Sequence, residues 1–424
     1  MENVRIMAYE NMGINNNIIN LCDECEQELQ EKFKEIEDIC LYNTSKVLKA
    51  FNNNRISDIH FKATTGYGYD DIGRIAIEKV YAEIFKAEDA LVRINFVNGT
   101  HALSTAIAGN ILPGDLIVSI TGAPYDTLAE TIGIVENNMS LISMGAKYMQ
   151  VDLKDGQLDL DRIKEVVKSN KIKMIFIGRS RGYETRPSLK VAQIAEAVKV
   201  IKEIDKEVIV MVDNCYGEFV ETVEPTEFGV DIMAGSLIKN LGGGLCETGG
   251  YIVGKQTLVE NAAKRLTAPG IGKECGATLG KNKEILQGIF MAPQAVMNAV
   301  KTATLAACML EKLGYEVSPS AWEDRTDIIQ SVILKDKNKL ISFIQGIQMA
   351  SPVDSFVLPE PWDMPGYTEQ VIMAAGTFVS GASIELSADA PIKEPYAVFM
   401  QGGLTYESAK IGVLLAISKM LKGE

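Results

Sequence analysis

Two residues set the chemistry this chain can do. Asp213 closes the apolar run Val208 to Val212, and Lys239 follows the next apolar segment, inside Gly235 to Gly244 (Gly-Ser-Leu-Ile-Lys-Asn-Leu-Gly-Gly-Gly). A carboxylate at one strand end and a lysine just after the next are what a pyridoxal 5'-phosphate site needs. The lysine carries the cofactor covalently, and the carboxylate keeps the pyridine nitrogen protonated so that the ring accepts electrons. Ser236, three residues before the lysine, is placed to reach the cofactor phosphate. Taken singly, Asp213 reads equally well as a turn former and Lys239 as a surface residue. Burial in such a site is expected to lower the Lys239 pKa and free its amine.

Further candidates follow other apolar runs. Asn98-Gly99-Thr100-His101 opens a helix, and its free N–H groups suit a phosphate. Tyr125, after Leu116 to Ile120, is placed to stack on the cofactor ring or donate a proton, with His101 as its rival for stacking. Arg179 and Arg181 follow Met174 to Ile177. Two apart on an extended segment, they would face one side. Arg179 is then the candidate for a substrate carboxylate, and Arg181 for the cofactor. The last candidates lie in the polar, aromatic stretch Thr64 to Arg74, with Tyr67, Tyr69 and Arg74.

The elements that must position these residues alternate. Apolar runs at Leu91 to Phe96, Leu116 to Ile120, Tyr148 to Leu153, Met174 to Ile177, Val208 to Val212 and Tyr251 to Val253 read as strands. Helical patterns between several of them predict an α/β fold with a mostly parallel sheet, and ligands then bind at the carboxyl ends of the strands. We expect one helix over about residues 15 to 50. Its stripe of Cys22, Cys25, Leu29, Phe33, Ile36 and Cys40 makes the C-x-x-C pair core rather than metal site. A long helix is expected from Pro293 to Gly314. The division is 1–60 as an N-terminal helical segment, 61–292 as the large cofactor-binding domain, and 293–424 as a linking helix with a small α+β domain.

Composition narrows the partners. The 424 residues carry a net charge of −14, which disfavours nucleic acid and anionic membranes. No leader and no apolar run of bilayer length is seen, so a cytoplasmic protein is expected. Seven cysteines and two histidines suggest neither a disulfide framework nor a metal site. The glycines at 242–244, 249 and 250 miss dinucleotide-loop spacing, because Glu247 takes the third glycine position. Ser236 to Lys239 matches S-x-x-K, but its companion motifs of penicillin-binding enzymes are missing.

The stretches Thr65 to Arg74 (Thr-Gly-Tyr-Gly-Tyr-Asp-Asp-Ile-Gly-Arg), Asp213 to Phe219 (Asp-Asn-Cys-Tyr-Gly-Glu-Phe), Gly376 to Phe378, Ile384 to Asp389 and Gln401 to Glu407 carry a resemblance. From about Thr65 to the C-terminus, the chain resembles the methionine gamma-lyase-like family of aluminium resistance proteins. These are relatives of cystathionine beta-lyase and fold-type I pyridoxal-phosphate enzymes. The resemblance implies a seven-stranded-type sheet in a large domain, a smaller C-terminal domain, and a homotetramer of dimers with shared active sites. It implies a carbon–sulfur lyase acting on cystathionine, methionine or a cysteine derivative. Lys239, Asp213 and Tyr125 would be catalytic, and Tyr67 and Arg74 would reach the cofactor of a neighbouring chain, with Tyr69 near the substrate. An aminotransferase is the alternative activity, and a non-catalytic protein on the same fold is the alternative class. The sequence departs from typical members at three points. The Tyr-x-Arg motif becomes Tyr67, Tyr69 and Arg74, a Gly-Met pair becomes Gly99-Thr100, and no cysteine stands beside Tyr125.

Overall fold

The computed structural model describes residues 2–182, 184–364 and 369–422. They form two compact units, one of residues 43–182 and 186–290, the other of the described residues up to Tyr42, 184–185 and from Met291 on.

The first unit is built on a seven-stranded sheet. Its strands are β1 (Asp89–Arg93), β2 (Leu116–Ser119), β3 (Lys147–Gln150), β4 (Met174–Gly178), β5 (Ile209–Asp213), β6 (Ile232–Ser236) and β7 (Gly250–Gly254). Their order is β1-β7-β6-β5-β4-β2-β3. Of these described strands β7 alone is antiparallel to its neighbours, β1 and β6. Every residue of β5 and β6 is buried, which is why β5 reads as a continuous apolar run rather than an alternating one. The chain is α/β with the fold-type I architecture.

The helix Gly99–Asn110 aims its N-terminus at the strand ends, and close packing fixes its line. A Cβ added at Gly109 would stand 2.8 Å from Ala262 Cα on the helix Gln256–Leu266. Asn110 Nδ2 also donates to the Leu258 carbonyl at 3.2 Å. The two helices touch backbone to backbone because glycine leaves room for it.

The second unit holds an antiparallel sheet of β8 (Glu316–Ser318), β9 (Ile329–Ile333), β10 (Val371–Ala374), β11 (Ser387–Pro391) and β12 (Ala397–Gln401), in the order β10-β11-β12-β9-β8. Helices Lys337–Met349 and Tyr406–Lys422 pack closely, with Gly346 set against Ala416.

Several expectations are corrected. The N-terminal segment is not a separate unit ending near residue 60, because residues up to Tyr42 group with the C-terminal unit. Lys312 pairs with Glu24 at 2.7 Å and Glu28 at 2.9 Å, and Glu26 accepts from Tyr406 and Lys410. The single helix is two, Asn16–Glu28 and Gln30–Asn53, meeting at Leu29, though its stripe is buried as expected. The linking helix starts at Asn282 and runs to Lys312 with Pro293 inside it. Packing there outweighs the amide hydrogen bond that proline forgoes. β6 was not among the expected strands, since Ile-Met-Ala-Gly-Ser lacks β-branched weight.

Candidate active site

The site lies at the carboxyl ends of β5 and β6, next to the Gly99–Asn110 helix. Asp213 is the last residue of β5 and pairs in register with Ala234 of β6. Ser236 ends β6, and the chain turns through Lys239 into a short helical turn at Asn240–Gly242. Asp213 Oδ1 accepts the Cys215 N–H at 3.0 Å. Lys239 places its Nζ 3.9 Å from the centre of the Tyr216 ring. Asp213 and Lys239 also feel each other's charge inside the protein.

Their electrostatics are coupled. Burial raises the Asp213 pKa, opposed by Lys239 and by the hydrogen bonds from Cys215. For Lys239, burial pulls downward, but Cys215, Tyr216 and Asp213 outweigh it and the net direction is up. The expected lowering is therefore corrected: the groups around Lys239 move its pKa up rather than down. Burial, then the Asp213 charge, also pushes the Cys215 thiol well up, opposed by Lys239.

The phosphate side is built from small residues. Asn98 caps the helix by accepting the His101 N–H at 2.9 Å. A Cβ at Gly99 would come within 3.2 Å of Ser236 Cβ and 3.6 Å of Cys215 Sγ, so the helix start is pressed against the end of β6. Thr100 Oγ1 lies 3.0 Å from the Tyr125 hydroxyl and 3.2 Å from Thr127 Oγ1. Ser236 Oγ accepts the Ile238 N–H at 3.3 Å. Tyr125 is 43% exposed. Protein packed around its hydroxyl, then the Asp213 charge, raises its pKa, so the phenol keeps its proton. His101 accepts the Val97 N–H on Nδ1 at 3.1 Å and meets Phe96 edge-on. Burial lowers its pKa, so it is a neutral ring with its proton on Nε2.

The structure thus brings together Lys239, Asp213, Ser236, Gly99, Thr100, His101 and Tyr125. It turns two arginines elsewhere. Arg179 is fully buried: Nη1 donates to Asn214 Oδ1 at 2.7 Å and to the Gly217 carbonyl at 3.0 Å, and Nη2 donates to Glu221 Oε1 at 2.7 Å. Its terminal nitrogens hold the fold, which corrects its assignment to a substrate carboxylate. Arg74 also points inward, donating to the carbonyls of Gly68 and Gly276 at 2.6 Å and of Glu274 at 3.0 Å. In this arrangement its guanidinium is not offered to a neighbouring chain. It fastens the loop that displays Tyr67 and Tyr69, which stack on each other, 72% and 59% exposed. Arg181 is buried, and its N–H donates to Ser188 Oγ at 3.1 Å.

Sequence reasoning missed Tyr216, Cys215 and Thr127. Tyr216 and Cys215 follow Asp213 directly, where Asp-Asn before Cys-Tyr-Gly signals a tight turn. Elsewhere, Cys22, Asp23 and Glu26 bring ligand-type atoms within 4.8 Å of one another. Glu26 already accepts from Tyr406 and Lys410, and Cys22 belongs to the buried stripe.

Comparison with known proteins places the chain in a family. The methionine gamma-lyase family model matches residues 18–421. The chain is 48% identical over 402 residues to the uncharacterized protein YnbB of Bacillus subtilis (strain 168), spanning 94% of this chain and 95% of that one. It is 52% identical, with a TM-score of 0.95 and 99% of both chains covered, to a Clostridium acetobutylicum protein described as a candidate cystathionine beta-lyase involved in aluminium resistance. A crystal structure described as a carbon–sulfur lyase involved in aluminium resistance, from Clostridium novyi NT, is 50% identical with a TM-score of 0.94, covering 97% of this chain and 98% of that one. The pyridoxal-5'-phosphate dependent protein YhfS of Escherichia coli shares the fold at 16% identity and a TM-score of 0.58, over 90% of this chain and 95% of that one. From its sequence and its fold alike, this chain belongs to the methionine gamma-lyase family.

Proposed function

We propose that this protein is a pyridoxal-phosphate-dependent carbon–sulfur lyase that eliminates a thiol from a sulfur-containing amino acid. The observation that carries the reading is Lys239, part-buried just past the end of β6, within electrostatic reach of the buried Asp213 at the end of β5. The surrounding groups fit the cofactor. The close approach of Gly99 to Ser236 leaves a small-residue cradle under a helix N-terminus, as phosphate requires. Lys239 would hold the cofactor covalently, Asp213 would face its ring nitrogen, and Ser236 and Thr100 would hold its phosphate. Bound there, the cofactor supplies an electron-accepting ring conjugated to the substrate alpha carbon.

The chain's own residues handle the protons. Lys239 Nζ takes the alpha proton, which it can do only once neutral. Cys215, Tyr216 and Asp213 together hold its pKa up, so loss of their charge would favour the neutral amine. Tyr125 keeps its proton at neutral pH, so its hydroxyl serves as an acid for the leaving sulfur. Thr100 orients that hydroxyl from 3.0 Å. A facing cation favours the Asp213 carboxylate, opposing the burial that raises its pKa.

Borohydride treatment followed by peptide mass analysis tests the assignment: Lys239 should carry the reduced cofactor, and a label on another lysine would sink it. Incubation with cystathionine, methionine and cysteine derivatives should release thiol, ammonia and keto acid. No cleavage, with amino transfer to a keto acid instead, would make the protein an aminotransferase. The exposed, stacked Tyr67 and Tyr69 support self-association with shared sites as part of the same proposal.

A further inference from the structure

Two residues of the turn after β5 hold left-handed backbone angles without being glycine: Tyr216 at φ 73° and Phe219 at φ 63°. Bulky side chains there are strained, and such strain persists only where the surroundings over-determine it. They do so here. Cys215 N–H bonds Asp213 Oδ1 at 3.0 Å and Gly217 N–H bonds the Asn214 carbonyl at 3.0 Å. Arg179 holds Asn214 and Gly217 from beneath. Glu224 accepts from Asn214 Nδ2 at 3.0 Å and from Phe219 N–H at 2.9 Å.

Core packing accounts for one of the two strained residues. Phe219 is buried and stacks on Phe85, with ring centres 6.3 Å apart. Tyr216 is only partly buried and fills no comparable place in the core. Its ring instead meets Lys239 Nζ at 3.9 Å, face to cation. A cation over a tyrosine face is attracted by the ring quadrupole, the more so when desolvated.

We propose that the Asp213–Phe219 turn is a strained clamp, locked by Arg179, that uses the Tyr216 ring to hold and orient the Lys239 amine. Tyr216 is thus a positioning residue acting through Lys239. The inference rests on Lys239 being the cofactor-bearing lysine. It adds that the amine has a fixed seat on Tyr216 whenever it is not joined to the cofactor. Asp213, Cys215, Glu218 and Tyr125 are the other titratable groups that feel the Lys239 charge.

Cyanate labelling of the full chain freed of cofactor, read by mass spectrometry of the Lys239 peptide across pH, tests this without measuring catalysis. Losing the ring in Tyr216→Leu removes a partner of the charged amine. Its labelling midpoint should fall by about one pH unit, tenfold greater reactivity at a given pH below it. Tyr216→Phe keeps the ring face and should stay near the wild-type profile. A wild-type profile in Tyr216→Leu, or an equal shift in both variants, would overturn the ring's role. Should the leucine variant not fold, Tyr216→Asn replaces it, since asparagine tolerates this backbone. Tyr216→Gly should raise the melting temperature while shifting the profile like leucine, and a lower melting temperature would overturn the strain. Borohydride marking a different lysine would defeat the proposed function and leave the cyanate profile as it is, so the two failures are distinct.

Discussion

Arg179 Nη1 stands 3.0 Å from the carbonyl oxygen of Gly217, so close that a Cβ on Gly217 would lie 2.5 Å from the same nitrogen. The arginine and the glycine lock each other: one supplies the donor, the other the room for it. Arg179→Ala would leave the fully buried Glu224 and Asn214 short of a partner. Breaking a buried ionic network costs about 3–5 kcal/mol. Urea unfolding should show a loss of that order, and Gly217→Ala a similar one in the same direction. Were Arg179 a substrate-carboxylate ligand, its replacement would raise KM with stability kept.

Tyr125→Phe keeps the ring and loses the proton. It should bind cofactor normally yet lose turnover by about 10²–10⁴-fold on substrates with poor thiol leaving groups. Activated thiols should suffer less, as a leaving group that departs as an anion needs no acid. Equal losses on both kinds of substrate, in steady-state assays, would reduce Tyr125 to a positioning role.

Glu218 gives the pH dependence a definite sign. It is buried, accepts the Tyr251 hydroxyl at 2.8 Å, and is pushed by burial up to about 8. A carboxyl raised on folding binds more protons folded than unfolded, so stability falls as pH rises through that window. Its contribution is therefore highest below its ordinary value of 4.5 and declines until about pH 8. Glu218→Gln removes that slope. Denaturation at pH 6 and pH 8.5 should show the variant gaining on the wild type at the higher pH, by on the order of a few kcal/mol. Parallel curves for the two proteins would place the titration elsewhere.

Tyr67 and Tyr69 carry the association prediction. Replacing both with serine leaves Arg74 and its carbonyl contacts in place, so the loop should hold its shape. Light scattering should then report a smaller species than the wild type at equal concentration. An unchanged mass would move the interface away from this loop.

What the sequence revealed followed from the kind of signal each residue gives. The runs at β4 and β5 are legible because buried parallel strands are continuously apolar. Asp213 and Lys239 are legible because strand ends place them. Arg179 and Arg74 misled because an arginine's sequence neighbours do not say whether its carbonyl partners lie inside. The turn at Tyr216 is signalled, but its φ is not, because it is held by hydrogen bonds that Arg179 donates and Glu224 accepts, both outside the turn. β6 was weak because its glycine and serine are there for close approach: a Cβ at Gly235 would strike Glu218 and Tyr251.

The reversed strand β7 also fixes an order of events at the ribosome. β1 has β7 as its neighbour in the sheet, pairing Arg93 with Gly250 and Asp89 with Gly254. At a synthesis rate of about 5–20 residues per second, the nascent β1 waits roughly ten to thirty seconds for that partner. Through that interval β1 presents an open hydrogen-bonding edge, and once Ile232–Ser236 has emerged β6 presents a second, the two bordering a slot one strand wide. Until Gly250–Gly254 emerges, the growing chain offers a template for foreign strands, and chaperone demand in translation should peak just before that segment clears the exit tunnel.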